Sequence, residues 1–327
     1  MKKRNLILAG IVSVLLLVIG CSNETSGQSQ PDKIRLDYAH YSPTSLVLKE
    51  FGWVEQAFAD EGIKVEWVFS QGSNRALEFL NSNSVDFGST AGAAALVSKA
   101  NGSPIENIYI YSQPEWTALV SSADSEITSI EDLRGKTVAA TLGTDPYIFL
   151  LRALAAEGID SSEVEIVNLQ HGDGATSLIT NQVDAWAGLD PHMARVELDS
   201  GANLFYREPD FNTYGFLNVR SDFAENYPEY VEKIIELYER ARNWTLDNPE
   251  DAISILANEA EISEDVATIQ LGRNTFDQPI PGQVHREALI EAGLILQAGE
   301  VIDQDAEIET LVTELINSEF AERVIIE

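Results

Sequence analysis

Lys64-Val-Glu-Trp-Val-Phe69, Gln71-Gly-Ser-Asn-Arg-Ala-Leu-Glu-Phe-Leu80 and Val85-Asp-Phe-Gly-Ser-Thr90 read as strand, helix and strand. The first stretch alternates and then closes on apolar residues. The second puts Ala76, Leu77 and Leu80 on one helical face. The third ends in small residues. Strands joined by a helix of this length run parallel, with the helix lying on the sheet. The turn between them, Gln71-Gly72-Ser73-Asn74, combines capping side chains with a residue that lets a backbone approach closely.

The same rhythm extends to both sides. A strand over 34–39 is followed by a helix over 45–61 that Gly62 stops. A helix over 91–100 follows the third stretch, and strands at 108–111 and 117–120 close the first set. A second set then begins. Strands at 137–141, 164–167, 184–187 and 204–206 alternate with helices at 147–157 and 175–181. A long strand, Tyr214 to Arg220, can lead back to the first set, and helices fill the remainder. Alternation of this kind predicts an α/β protein with mainly parallel sheets flanked by helices. Two sets and a return strand predict two lobes joined by two hinge crossings: residues 34–118 with 220–327, and residues 119–219. A ligand then belongs between the lobes, where strands end and helices begin.

The first 21 residues have a different character. Lys2, Lys3 and Arg4 precede an apolar run from Leu6 to Ile19, and Val18-Ile-Gly-Cys21 follows. This is the pattern of an export signal, too short to span a bilayer comfortably. Its end resembles the bacterial lipobox, which implies a diacylglycerol on Cys21, the only cysteine in the chain. Residues 22–33 read as a flexible tether. The expected location is the extracytoplasmic face of a cell membrane, held by the lipid. A formal charge of −32 excludes nucleic acid as a partner, because phosphate contacts need Lys and Arg. It also gives an anionic ligand no long-range attraction, so any anion must be held by local dipoles.

Four predicted strand-to-helix junctions carry such dipoles: Gln71–Asn74, Ser89–Gly92 with Thr90 and Ala91, Leu142–Pro146 with Gly143, Thr144 and Asp145, and Gly188–His192 with Asp190. The first amides of a helix have no internal partner and bind anions without basic side chains. Tyr41, Trp116, Trp186 and Tyr214 lie near junctions or crossings and are candidate walls, with core packing the alternative for Trp186. His40 and His192 are placed to meet across the cleft. No HExxH or GxSxG motif occurs, and the sole thiol lies in the lipobox, so no metal, cofactor or nucleophile is indicated.

The runs 71–80 and 85–92, Asp132-Leu-Arg-Gly-Lys-Thr-Val138 with Gly143-Thr-Asp-Pro-Tyr-Ile-Phe-Leu-Leu-Arg152, and Asp184-Ala-Trp-Ala-Gly-Leu-Asp-Pro191 resemble the aliphatic sulfonate, nitrate and taurine binding proteins of ABC importers. The resemblance runs from residue 34 to the C-terminus. It implies a periplasmic-binding-protein-like fold of type II. It also implies a monomeric solute receptor, an ABC permease with its ATPase as partner, and no catalysis. Carried over by position, it gives Ser73, Thr90, Gly143 and Thr144 as ligand contacts, with Tyr41 and Trp116 as walls. Asp145 departs from the expected pattern, with capping of its own helix as the alternative, and a second acid, Asp190, lies at another junction. Two carboxylates at the cleft favour a ligand that also carries an amine, such as taurine or a thiamin-pyrimidine precursor. A nitrate-like anion and an enzyme on the same fold remain the other readings.

Overall fold

A computed structural model describes residues 30–325. The expected signal, Cys21 and residues 22–29 of the tether lie outside them. The chain begins with β1 (Lys33–Tyr38), α1 (Pro43–Phe51), α2 (Trp53–Phe58), β2 (Lys64–Phe69), α3 (Ser73–Asn81), β3 (Phe87–Ala91), α4 (Gly92–Ala100) and β4 (Ile105–Pro114). Then come β5 (Leu119–Ser121), β6 (Thr137–Ala140), α5 (Asp145–Ala156), β7 (Glu165–Asn168), α6 (His171–Ile179), β8 (Ala185–Ala187), α7 (His192–Ser200), β9 (Asn203–Tyr206) and β10 (Gly215–Arg220). The rest is α8 (Ser221–Asn226), α9 (Pro228–Asp247), α10 (Pro249–Ala260), α11 (Glu264–Gly272), β11 (Asn274–Thr275), α12 (Gln283–Ala298), α13 (Ile308–Leu315) and α14 (Glu319–Val324).

Two sheets result, in the orders β11-β4-β10-β3-β1-β2 and β7-β6-β8-β5-β9. The opening strand–helix–strand unit is present, with β1 lying between β2 and β3 and parallel to both. The sheets are mixed, however, where mainly parallel ones were expected. Strands β10 and β11 in the first sheet, and β5 in the second, pair antiparallel. They enter from crossings and loops without a covering crossover helix, so nothing forces them parallel.

Three boundaries also move. The 45–61 helix is broken at Gly52, whose φ of 60° closes α1 in a left-handed cap. The strand expected to close the first set is β5, which pairs with β8 and β9 in the second sheet. Strand β10 is bonded into the first sheet, so the second crossing lies ahead of residue 215. Gly215 is required there, because a Cβ would lie 2.3 Å from the Tyr111 ring.

Each lobe has its own core. Ile34, Leu36, Phe87, Ile108 and Leu217 anchor the larger one. The second sheet is covered on both faces, by Phe149, Leu150 and Leu154 on one side and Trp186, Met193 and Val196 on the other. One buried acid ties the strand ends of the first sheet together. Asp37 on β1 accepts the Ser89 N–H at 2.8 Å. Burial pushes its carboxyl up to about 7, against the pull of that bond. The fold therefore favours its protonated form. The stability this gives is complete below the unfolded aspartate range, about pH 4, and is lost as pH rises through about 7. Asp37→Asn keeps an acceptor and removes the charge. The melting temperature of the variant relative to the parent is expected to increase between about pH 5 and about pH 8.5.

Candidate functional site

Four strand-to-helix turns meet between the sheets around a cavity of about 240 Å³. The first lobe contributes His40 and Tyr41 after β1, and Phe69, Ser70 and Gln71 after β2. The second contributes Gln170, His171, Gly172 and Asp173 after β7, and Leu189, Asp190, Pro191 and His192 after β8. These are carboxyl ends of strands, where open α/β sheets hold their ligands. No side chain caps the N-terminus of α3 or α6. No Lys or Arg lines the cavity.

Three histidines face this space. Burial lowers all of them: His40 below its ordinary value, His192 to about 4 and His171 to about 3. All are therefore neutral at pH 7. Gly72 lets the first lobe close against His171, since a Cβ there would sit 2.8 Å from His171 Nε2. Arg273, just after α11, reaches across to Asp190 at 3.1 and 3.2 Å and to Glu197 at 2.6 Å. Burial pushes the Asp190 carboxyl up to about 6, while the Arg273 guanidinium pulls it back.

The residues anticipated from sequence divide clearly. Tyr41 and Asp190 line the cavity, and His40 and His192 do meet there. The Tyr41 hydroxyl is engaged with the Ser89 carbonyl at 2.9 Å, so only its ring faces the space. The first junction contributes Gln71, whereas the Ser73 hydroxyl accepts the Ala91 N–H at 2.9 Å. Asn74 packs against Gly143, which joins the two lobes beside the cavity.

The second junction does not line the cavity. Its Gly92 and Ala93 amides donate to Tyr214 O and Thr213 Oγ1, and Thr90 is fully buried under the Asn218 amide. Thr144 donates to Thr141 O. Trp186 lies in the second core, its indole over Gly174. Tyr214 packs edge-on to His285 at 4.3 Å, away from the cavity. The turn at 170–173 was not anticipated. Two glycines in His171-Gly-Asp-Gly174 hide the first turn of a helix that sequence periodicity starts only at Ala175.

Asp145 does not face the cavity either. Its carboxylate accepts Trp116 Nε1 at 2.9 Å, Thr213 N at 2.9 Å and Thr213 Oγ1 at 2.7 Å. Trp116 lies on the first crossing and Thr213 on the second, and Thr117 N donates to Asn212 Oδ1 between them at 2.8 Å. The anticipated repulsive acid is a clasp on both hinges.

Known proteins resemble this chain in sequence and fold. Residues 49–252 match the family model described as NMT1/THI5 like. The chain belongs to this family. A protein of Bacillus subtilis (strain 168), provisionally named for aliphatic sulfonate binding, is 29% identical over 78% of this chain and 79% of its own length. The taurine-binding periplasmic protein of Escherichia coli (strain K12) is 26% identical over 79% of this chain and 85% of its own. An enzyme is also related, the 4-amino-5-hydroxymethyl-2-methylpyrimidine phosphate synthase of Legionella pneumophila, at 25% identity. Among solved structures, the alkanesulfonate-binding protein SsuA of Xanthomonas axonopodis pv. citri, bound to MOPS, superimposes with a TM-score of 0.80. It is 21% identical and covers 88% of this chain and 99% of that one. The fold is that of the two-lobed periplasmic binding proteins.

Asp145→Ala leaves three buried donors without an acceptor. A destabilisation of about 3 kcal/mol is expected, read as a lowered denaturant midpoint with an unchanged slope.

Proposed function

We propose that this protein is the solute-binding component of an ABC importer for small organic sulfonates, taurine among them, working outside the cytoplasm on a lipid attached to Cys21. The observation that carries the reading is the cavity between the lobes. Backbone turns and helix N-termini surround it, and it has no cationic side chain in its lining. Uncapped amides at α3 and α6 offer donors to a tetrahedral anion. The named relatives that bind sulfonates and taurine support the same reading.

Function then follows from the crossings. The lobes hinge about residues 115–118 and 207–214, and closure brings the turns of both lobes onto the solute. The closed surface is what the permease meets. Among the described residues no helix is long and apolar enough to cross a membrane, so the tether carries the attachment. A second reading, an amine-bearing pyrimidine, draws on the two acids Asp173 and Asp190 in the lining and on the related synthase.

A thermal-shift panel of ethanesulfonate, taurine, nitrate and an aminopyrimidine separates these. A concentration-dependent rise in melting temperature with at least one sulfonate is expected. A rise with the pyrimidine alone reverses the order of the two readings, and release of a reaction product from any of them replaces the receptor by an enzyme.

A further inference from the structure

The cavity lining is rich in apolar and aromatic side chains: His40, Tyr41 and Phe69 from the first lobe, and Leu189, Pro191 and His192 from the second. Tyr41, Leu189 and Pro191 are buried and form the backing. His40, Phe69 and His192 are only half-buried, so their rings are the apolar surface within a solute's reach.

These rings come from both lobes. Phe69 ends β2 and His40 follows β1, and the parallel pairing of the two strands brings the rings together, with centroids 4.5 Å apart and planes at 40°. Tyr38 packs on the Phe69 ring at 5.3 Å and steadies it. His192 opens α7 in the other lobe, its ring against Gly172. Burial keeps both imidazoles neutral at pH 7, so they meet a solute as aromatic surface and bring no cation to a sulfonate. The acids in the lining are engaged elsewhere: Asp190 is paired with Arg273, and Asp173 is exposed to solvent.

A two-carbon chain covers little of three rings and leaves the rest wetted. A benzene ring covers more apolar area, and ring against ring gains stabilisation beyond that area.

We propose that these rings hold the organic part of the solute and that this part is itself aromatic, so that the protein prefers arylsulfonates to short alkylsulfonates. The proposal rests on the sulfonate reading given above, in which the head group goes to helix amides. It assigns Phe69 and His192, one from each lobe, as residues that set specificity.

The test is calorimetric titration of the protein with benzenesulfonate, cyclohexanesulfonate, ethanesulfonate and taurine. Benzenesulfonate is expected to bind at least about tenfold tighter than ethanesulfonate, a difference of about 1.4 kcal/mol. It is also expected to bind more tightly than cyclohexanesulfonate, which has similar bulk and no aromatic face. Phe69→Leu and His192→Leu each keep an apolar side chain without the ring. Each is expected to reduce the benzenesulfonate-to-ethanesulfonate affinity ratio at least about threefold, a quantity that a general loss of folded protein does not move. Ethanesulfonate binding as tightly as benzenesulfonate to the parent, or an undiminished ratio in both variants, overturns the proposal and leaves the sulfonate receptor standing. Cyclohexanesulfonate binding as tightly as benzenesulfonate overturns the aromatic preference. Taurine binding as tightly as benzenesulfonate overturns it in favour of an ammonium group over the rings. Binding of none of the four, nor of any other sulfonate, removes the receptor reading itself and the proposal with it.

Discussion

The placement of one lobe against the other rests on the carboxylate of Asp145. A chain of hydrogen bonds runs from the Ala93 amide in the first turn of α4 to Thr213 Oγ1, and from that hydroxyl to Asp145 at the start of α5. It therefore links the first turns of two helices in different lobes through the second crossing. Trp116 brings the first crossing to the same carboxylate. An unpaired buried carboxylate would be costly, and burial does raise its pKa, but three donors and the charge of Arg152 hold it. Arg152 extends the network, meeting Phe211 O at 3.3 Å on the second crossing. The two crossings are thereby tied to each other and to the helix starts of both lobes.

Much of this architecture was legible in the chain. The unit over 64–90 gave two parallel strands and their helix because alternation and helical spacing are local signals. The junctions at 71–74 and 188–192 were legible for the same reason. The junction at 170–173 was not, because its signal is tertiary. Gly172 and Gly174 weaken helix propensity, and the helix starts early only because other side chains occupy the glycine faces. The Trp186 indole would be 2.6 Å from a Cβ on Gly174, and the His192 ring 3.4 Å from one on Gly172. A sequence shows the cost of a glycine but not the ring that makes it necessary.

The same limit explains the hydroxyl candidates that lie off the cavity. Ser73, Thr90 and Thr144 are hydroxyls at helix starts or strand ends. Their hydrogen bonds go to backbone or side chains already present: Ser73 to Ala91, Thr90 to Asn218, and Thr144 to Thr141. Junctions inside one lobe stitch that lobe together, whereas those at its rim remain open to the other lobe. Which junction is at the rim depends on strand order. Strand β3 lies between β10 and β1 in the interior of its sheet, and β10 brings the second crossing over its end.

Global and local electrostatics also separate here. The chain is strongly acidic, yet such charge is screened within about 8–10 Å at physiological salt. Inside the cavity the governing charges are near and few. Asp190 is matched by Arg273, which also holds Glu197, so one guanidinium neutralises a lining acid and joins the lobes. The three histidines are kept neutral chiefly by burial, with Arg195 and then His40 acting on His192, and His192 on His171. What remains in the lining is the Asp173 carboxylate among oriented dipoles: amides at helix starts and the carboxamides of Gln71 and Gln170. Dipoles discriminate by direction more than by net charge, so selectivity among small solutes of similar charge becomes a question of which atoms donate and where.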